Sequence, residues 1–377
     1  MNMNINKSDW IKIKLNDVCE WYQKNIPNDE QINFGIEYYV TANHIDSDSI
    51  KFDRYSELAD GQKGPTITKH FEKGDLLLST RSVALRKAAL APVDGVTGEK
   101  LLVLRVKPES LLLRELMPFV FQSIDFWKYA QNSASGSVNK FTSWTKIREY
   151  EFLLPPKDQQ AQLAKLLWAM DEVIEKEKEV FYSIDKLFKT KAKYISDNHI
   201  HEGQYKKIKE VCLIKDNMRK PLNSSQRDKM KGDIPYYGAN GLVGYLNDFI
   251  FDEDLVLVAE DGGNFNEFYA KNIAYRVSGK SWVNNHAHVL VAKDEFLSNE
   301  WLYYSLVHKN ILKYIIGSTR LKLNKSELER VTLWIPSEKL MKTLTLEMDE
   351  INYSKMIANE KLKSSQSLQK SIINQIF

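Results

Sequence analysis

The chain has 377 residues, more than one ordinary domain needs, and suits two or three domains with separate cores. Its composition, 43% hydrophobic and 27% charged, is that of a globular protein. No apolar run approaches the roughly 18 residues of a membrane span, and the start of the chain has no secretion-signal pattern. A net charge of +3 excludes a polybasic nucleic-acid binder, so contact with DNA requires local basic patches. We therefore expect a cytoplasmic protein that does not contact membranes.

The first part of the chain is predicted to be a strand-rich module. Apolar and basic residues alternate in residues 10–15, and this period of two indicates a short strand. Turns rich in Gly, Pro, Asn and Asp separate further apolar runs. Strands are predicted at 37–41, 73–79 and 101–106, and helices near 111–129.

A long helix is predicted to follow, over residues 158–200. Pro155 and Pro156 precede it, and Asp158 can cap its first turn. Apolar residues recur at steps of three and four over four heptads, which is typical of a coiled-coil seam. The predicted seam consists of Leu163, Leu166, Met170, Val173, Val180, Ile184, Leu187 and Tyr194.

A second strand-rich module and a second long helix complete the chain. Strands are predicted at 205–211, 254–259 and 288–292, and a helix near 299–316. The final helix, 337–377, begins at the capping residue Ser337. About 40 residues at about 1.5 Å each make a rod of roughly 60 Å. Its apolar stripe consists of Met341, Leu344, Met348, Ile351, Ala358, Leu362, Leu368, Ile372 and Ile376.

The two modules end in copies of one stretch. Residues 136–155 and 317–336 match without a gap, 181 positions apart. A period this long indicates a duplicated half rather than a solenoid. Cys19 and Cys212 lie in matching contexts, and we expect both to be buried core residues rather than a disulfide.

The predicted fold class is α+β, with two similar mixed α/β domains joined by two long antiparallel coiled-coil-like helices. Each helix needs a partner for its stripe, and the simplest partner is the other helix. Antiparallel pairing is favoured because the second module lies between the helices in sequence, and it predicts a pseudo-twofold arrangement with the modules at opposite ends of the rod. The expected domains are 1–157 and 201–336, with spacer helices at 158–200 and 337–377.

Three segments of the second module resemble those of a known family. They are Ile234-Pro-Tyr-Tyr-Gly-Ala-Asn-Gly-Leu-Val-Gly-Tyr245, Val258-Ala-Glu-Asp-Gly-Gly263 and Gly279-Lys-Ser-Trp-Val-Asn-Asn-His-Ala-His-Val-Leu290. With its paired modules and helices, essentially the whole chain resembles the specificity subunit of type I restriction-modification systems. The first module lacks these three segments. The resemblance therefore implies that the two target-recognition domains of the chain read different sequences.

The resemblance implies a subunit that binds double-stranded DNA and reads a bipartite, asymmetric site, one half-site per module. It implies no catalysis and no cofactor in this chain. Two methyltransferase subunits would methylate adenine with S-adenosylmethionine, and restriction subunits would cleave, with Mg and ATP bound by these partners. A separation of one duplex turn, about 34 Å, fits the predicted rod. The alternatives are a methylation-only or related phage-defence complex and, from another class, a coiled-coil assembly scaffold.

Basic and polar residues in predicted turns are candidate DNA contacts. Arginine and lysine suit phosphates and guanine edges, asparagine suits adenine, and tyrosine can stack or bond to the backbone. The alternatives are solvated loops, packing of a module on its helix, and buried polar turns. The predicted DNA-binding residues are Arg81, Arg86, Lys87, Ser137, Asn139, Lys140, Tyr236, Tyr237, Asn240, Tyr245, Asn284, Asn285, His286, Ser318, Arg320 and Lys322.

Neither catalytic chemistry nor a metal site is predicted. The sequence has no Asn-Pro-Pro-Tyr or Asp-Pro-Pro-Tyr stretch, no glycine-rich loop for S-adenosylmethionine and no Walker loop. His286 and His288 are expected to alternate along a strand and to point to opposite faces, which argues against a shared metal. His199 and His201 lie in the junction after the first helix, where no metal is expected. Glu260-Asp261 is predicted to form a turn rather than a catalytic pair.

Overall fold

The computed structural model describes residues 6–61, 63–137, 139–196 and 203–377. The chain divides into two compact units, Met1–Glu177 with Lys361–Phe377, and Lys178–Glu360. Each unit contains one strand-rich module and a segment of each long helix. His199 and His201 lie outside the described residues.

The first module is built of short strands and short helices. In chain order they are β1 (Ile11–Lys14), α1 (Leu15–Val18), β2 (Cys19–Tyr22), β3 (Tyr38–Val40), β4 (Ser56–Glu57), β5 (Lys69–Phe71), β6 (Leu76–Ser79), β7 (Ala88–Leu90), β8 (Gly95–Thr97), β9 (Leu101–Val106), α2 (Met117–Val120), α3 (Ile124–Asn132), α4 (Trp144–Ile147) and β10 (Glu151–Leu154). The long helix α5 (Lys157–Ser196) follows. Strands therefore form where the apolar runs predict them.

The strands of the first module form three small sheets. β1 pairs antiparallel with β10 and joins the start of the module to its end. One four-stranded sheet has the order β2-β9-β6-β7, and the other, β4-β3-β8-β5, contains the parallel pair β3 and β8. Leu76 and Leu78 of β6 pack in the core that contains the helices, whereas Leu77 packs in a second core with Val40 and Phe71. β6 contains three consecutive leucines, 76–78, because both of its faces are buried.

The second module repeats this order of strands. It contains β11 (Gln204–Lys207), α6 (Ile208–Val211), β12 (Cys212–Ile214), α7 (Ser224–Lys229), β13 (Ile234–Gly238), β14 (Gly241–Leu246), β15 (Phe251–Asp252), β16 (Leu255–Ala259), β17 (Ala274–Val277), β18 (Lys280–Val283), β19 (Ala287–Ala292), α8 (Asn299–Leu306), α9 (Lys325–Leu328) and β20 (Thr332–Ile335). The long helix α10 (Glu338–Ile376) follows.

The sheets of the second module match those of the first strand for strand. β11 pairs with β20, and the four-stranded sheets have the orders β12-β19-β16-β17 and β14-β13-β18-β15. β13 and β18 are parallel, as β3 and β8 are. Cys19 and Cys212 begin the equivalent strands β2 and β12, and both are buried free thiols. The predicted duplication and core cysteines are confirmed.

Segments of the two long helices lie antiparallel within each unit. In the first unit, the Gln369 amide donates to the Leu167 carbonyl oxygen at 3.3 Å. In the second unit, Lys355 forms an ion pair with Asp185 at 2.5 Å, and Lys191 pairs with Glu347. Ser337 caps α10, because its hydroxyl accepts from the backbone amide of the third helical residue at 3.4 Å. The predicted mixed fold with two long helices is confirmed, while the proposed domain boundaries and pseudo-twofold arrangement stay predictions.

The seam predicted for α5 is wrong by one helical position. Leu163, Met170 and Ile184 are half-buried, but the other five predicted members are 38% to 54% exposed. The buried face begins one residue later, at Ala164, Leu167, Asp171 and Ile174 in the first unit and Phe188, Ala192 and Ile195 in the second. This face packs on module cores as well as on α10. The exposed apolar stripe of α5 is Leu166, Val173, Val180, Leu187 and Tyr194.

Candidate nucleic-acid interface

The repeated stretch of the second module forms a turn that docks on the loop after β16. In this 317–323 turn, the Leu323 amide donates to the Glu260 carbonyl oxygen at 2.7 Å. Gly317 has a φ of +90°, and a Cβ atom there would collide with the Arg320 carbonyl oxygen. The turn therefore requires glycine at its first position.

The first module contains the same turn in the same place. In its 136–142 turn, of which residue 138 lies outside the described residues, the Thr142 amide donates to the Thr80 carbonyl oxygen at 2.9 Å. Thr80 follows β6 as Glu260 follows β16, and Gly136 also has a positive φ, +94°. The two modules thus share one backbone arrangement at this edge, on which their side chains differ.

The 317–323 turn presents basic and small polar side chains. The Arg320 side chain is 65% exposed, and its guanidinium lies 2.5 Å from an Asp261 carboxylate oxygen. Lys322 Nζ lies 3.5 Å from a Glu260 carboxylate oxygen, and Ser318 is exposed. An exposed arginine beside a lysine and a hydroxyl is suited to contact a phosphate group.

A buried network fixes the 317–323 turn to β19. His288 is 0% exposed, and its Nδ1 lies 2.6 Å from an Asp216 carboxylate oxygen while its Nε2 lies 2.8 Å from the Leu323 carbonyl oxygen. Asp216 also accepts from the Val289 amide at 2.9 Å, and the Arg219 guanidinium lies 3.4 Å away. Burial acts to raise the pKa of Asp216, but the His288 hydrogen bond and charge, the Val289 amide and the charge of Arg219 outweigh it and lower the pKa.

The acidic groups of this network are neutralised by neighbouring side chains. Ligand atoms of Asp216, Glu260 and His288 lie within 4.8 Å of one another, which is close enough for a metal site. However, the Arg219 guanidinium donates to Glu260 at 2.6 Å. The cluster is therefore an ion-pair network that supports the turn. His286 lies in the turn before β19 and has a 40% exposed side chain, so only the buried His288 belongs to the strand. The prediction that the two histidines alternate along a strand is therefore corrected, because residues two positions apart on a strand share a face.

The β13–β14 hairpin places the predicted tyrosines in different environments. Tyr236 is 1% exposed and packs in the core, so the prediction that it contacts DNA is corrected. Tyr237 is half-buried, whereas Tyr245 is 55% exposed. Asn240, at the exposed tip, donates to the Gly262 carbonyl oxygen at 3.1 Å. This bond joins the hairpin tip to the loop on which the 317–323 turn docks.

The two neighbouring asparagines also differ. Asn284 is 8% exposed, and its side-chain oxygen accepts from the His286 amide at 2.8 Å. It is a buried residue that supports the loop before β19, so its predicted role as an adenine contact is corrected. Asn285 is exposed, and its contact with DNA stays a prediction.

The basic residues predicted in the first module flank its turn. Arg81 is exposed, and its guanidinium carbon lies 5.3 Å from the centre of the Phe141 ring. Arg86 lies 3.6 Å from an Asp48 carboxylate oxygen, and Lys87 donates to a backbone carbonyl at 2.7 Å. Arg81 is therefore the most accessible of the three, and the turn adds the exposed side chains of Ser137, Asn139 and Lys140.

Sequence reasoning missed the residues beneath the 317–323 turn. Asp216 lies 72 positions from His288, and no local motif links them. It also missed the exposed apolar side chains of Leu242 and Val243 on the hairpin. The signal for these was the pair of adjacent apolar residues between Gly241 and Gly244, in a segment with too many glycines for a core strand.

Comparison with known proteins agrees with the repeated architecture. Residues 7–181 and 201–343 each match the family described as the type I restriction modification DNA specificity domain. A putative type I restriction enzyme specificity subunit of Haemophilus influenzae is 40% identical over 135 residues, which are 36% of this chain and 34% of that protein. The chain thus matches only about a third of that relative's length.

Two solved structures share the fold over nearly the whole chain. A type I restriction-modification S subunit from M. genitalium aligns with a TM-score of 0.64 and 14% identity, covering 100% of this chain and 97% of that one. A chain from a study of type I R-M system assembly and conformational transition aligns with a TM-score of 0.55 and 18% identity, covering 98% and 97%. None of the helices among the described residues has the length and apolar character needed to span a bilayer.

Proposed function

The chain belongs to the family of type I restriction modification DNA specificity domains, and from this premise we propose that it reads a bipartite, asymmetric DNA site. Each module reads one half-site, and the long helices set the gap between them. The observation that carries the proposal is the shared backbone with different side chains. Arg81 pairs with Phe141 in an isolated β-bridge of the first module, and Asp261 pairs with Lys322 in the equivalent β-bridge of the second. Two readers of this kind would recognise different sequences.

The proposal includes methyltransferase subunits as partners. The exposed apolar stripe of α5 has members seven positions apart, Leu166 and Val173 in the first unit and three more in the second. A heptad-spaced apolar stripe is suited to pack against another helix. We place two methyltransferase subunits on such helical surfaces and add restriction subunits to the complex.

The proposed chemistry takes place on these partners. The carboxylates of Asp216 and Glu260 are paired with Arg219, which suits a supporting role rather than a catalytic one. Methylation of adenine would use S-adenosylmethionine bound by the methyltransferase subunits, and Mg and ATP would be bound by the partners. This chain selects the sequence at which they act.

The test is a footprint of the full chain assembled with its methyltransferase partner on duplexes of varied sequence. The expected result is a protected region in two parts, with sequence preference in each part and none in the gap. Exchange of the first module for that of another specificity subunit should change one part only. A complex that protects all duplexes equally would contradict the proposal and would favour an assembly scaffold.

A further inference from the structure

The β13–β14 hairpin exposes apolar side chains at the edge of its sheet. Leu242, Val243 and Tyr245 are 50%, 55% and 55% exposed. β14 is an edge strand, and its pairing with β13 shifts register so that Val243 has no partner residue opposite. This bulge breaks the alternation of the strand, and two adjacent apolar side chains therefore face solvent.

The hairpin lies beside the basic 317–323 turn. Asn240, between the two strands, donates to the Gly262 carbonyl oxygen at 3.1 Å, and the Gly262 amide donates to the Leu321 carbonyl oxygen at 3.1 Å. Leu321 is the neighbour of Arg320, whose side chain is 65% exposed. The apolar hairpin is thus joined, through the Asn240 side chain and one backbone hydrogen bond, to a turn suited to bind phosphate.

We propose that this hairpin enters the major groove and that Leu242 and Val243 contact the C5 methyl groups of thymine. The inference rests on the proposed function and adds the chemistry of the second half-site. A two-stranded ribbon fits the major groove, and thymine is the base that presents an apolar group there. The basic turn beside the ribbon complements the phosphates that border the groove. The second half-site therefore contains at least one thymine under the hairpin.

The equivalent strands of the first module offer no such ribbon. β3 and β4 are separated by residues 41–55 rather than by a two-residue tip. β4 consists of Ser56 and Glu57, and Glu37 precedes β3. Carboxylates at these positions repel phosphates, so the first half-site is read by other residues. Thymine contact through a hairpin is a property of the second module alone.

The test substitutes deoxyuridine for each thymine in turn, because uracil pairs as thymine does but lacks the methyl group. The full chain in complex with its methyltransferase partner is titrated with each duplex. We expect at least one substitution in the second half-site to lower affinity about fourfold, which is the contribution of one buried methylene group. Any change in affinity caused by substitutions in the first half-site should be the same in the wild type and in the hairpin variants. Leu242→Ala or Val243→Ala should bind thymine and uracil duplexes equally at that position. Leu213→Ala, which truncates a leucine 51% exposed on edge strand β12, is the matched control and should keep the fourfold difference.

Each other outcome overturns the inference. Selective binding with no response to uracil in the second half-site, or a response that persists in both hairpin variants, contradicts thymine contact but leaves the proposed function intact. Hairpin variants that lose the methyltransferase partner while keeping the response to uracil would identify a protein-binding surface instead. A wild-type complex that binds all duplexes with the same affinity would contradict both proposals.

Discussion

Removal of the His288 imidazole is expected to destabilise the second module and to release the 317–323 turn. His288→Ala leaves Asp216 without its partner at 2.6 Å and the Leu323 carbonyl without its donor at 2.8 Å. Removal of one member of a buried ion pair costs about 3 to 5 kcal/mol. Asp216 keeps the Val289 amide, so we expect a loss near the lower value, about 3 kcal/mol. For a unit of this size that loss lowers the Tm by about 6 to 12 °C.

Thermal unfolding followed by tryptophan fluorescence measures this loss, because Trp301 and Trp334 are buried in the same unit. Hydrogen exchange of the 317–323 amides shows whether the turn is released. The matched control is Leu102→Ala. Leu102 pairs with β6 of the first module as His288 pairs with β16 of the second, and it is 4% exposed. The control should lower stability through a cavity but leave exchange of the 317–323 amides unchanged.

The pH dependence of unfolding adds an independent readout. The pKa of Asp216 is lowered in the folded protein, so its contribution to stability is complete above the unfolded pKa of about 3.9 and is lost as the pH falls through and below that value. Asp216→Asn removes this contribution, and its stability should fall less steeply between about pH 5 and pH 3 than that of the wild type. A free energy of unfolding for His288→Ala within about 1 kcal/mol of the wild type, together with 317–323 amides that exchange no faster, would contradict this role of His288.

Three further predictions concern the surface and the thiols. Arg320→Ala should weaken binding to all duplexes and reduce the slope of log affinity against log salt by about 1, whereas Arg330→Ala, with a 64% exposed side chain that pairs with Glu327, should change neither. Val180→Asp, on the exposed apolar stripe of α5, should reduce copurification of the methyltransferase partner, while Tyr182→Asp on another face of the helix should not; equal losses would contradict the proposed surface. Burial raises the pKa of both cysteine thiols to about 12, so neither should react with a thiol reagent at pH 8 until the protein is denatured, and rapid reaction of the folded chain would contradict their burial.

The central strands could be predicted from the sequence because their burial is continuous. Residues 255–259 are all apolar and all buried, and no other environment in a globular domain suits such a run so well. The parallel pairing of β3 with β8 could not be predicted. It joins Tyr39 to Val96, and nothing in either short segment specifies a partner so distant in sequence. Short strands carry too few side chains to specify their own register.

The face of α5 that is buried could not be predicted from hydrophobicity. The buried face contains Asp171, which pairs with Lys51 at 2.7 Å, and Gln160, whose amide donates to the Leu111 carbonyl oxygen at 2.9 Å. Their partners lie in the module, so on the sequence they look like surface residues. The exposed face meanwhile carries apolar residues as large as leucine, such as Leu166 and Leu187. An apolar stripe that faces solvent is indistinguishable in sequence from one that faces the core.

The exposed residues of the candidate site could be predicted from the sequence, whereas the buried contacts that support them could not. Glycine, serine and basic residues at the repeated turn indicate a polar surface, and the structure places Arg320 there with an exposed side chain. Strand periodicity could not separate His286 from His288, because residues two positions apart on a strand share a face; the structure separates them because His286 lies in the turn before β19 and only His288 lies in the strand. Its contact with Asp216 depends on how β12 and β19 pair, which only the folded chain reveals.

The central claim is that each module reads its own half of one two-part site. Mapping of methylated adenines in DNA from cells with and without this gene tests that claim most directly. The account predicts that the gene adds methylation at a single motif with two specified parts of different sequence, separated by a gap of fixed length and unspecified bases. A map that is identical in both cells, or gene-dependent methylation at one continuous motif, would contradict it.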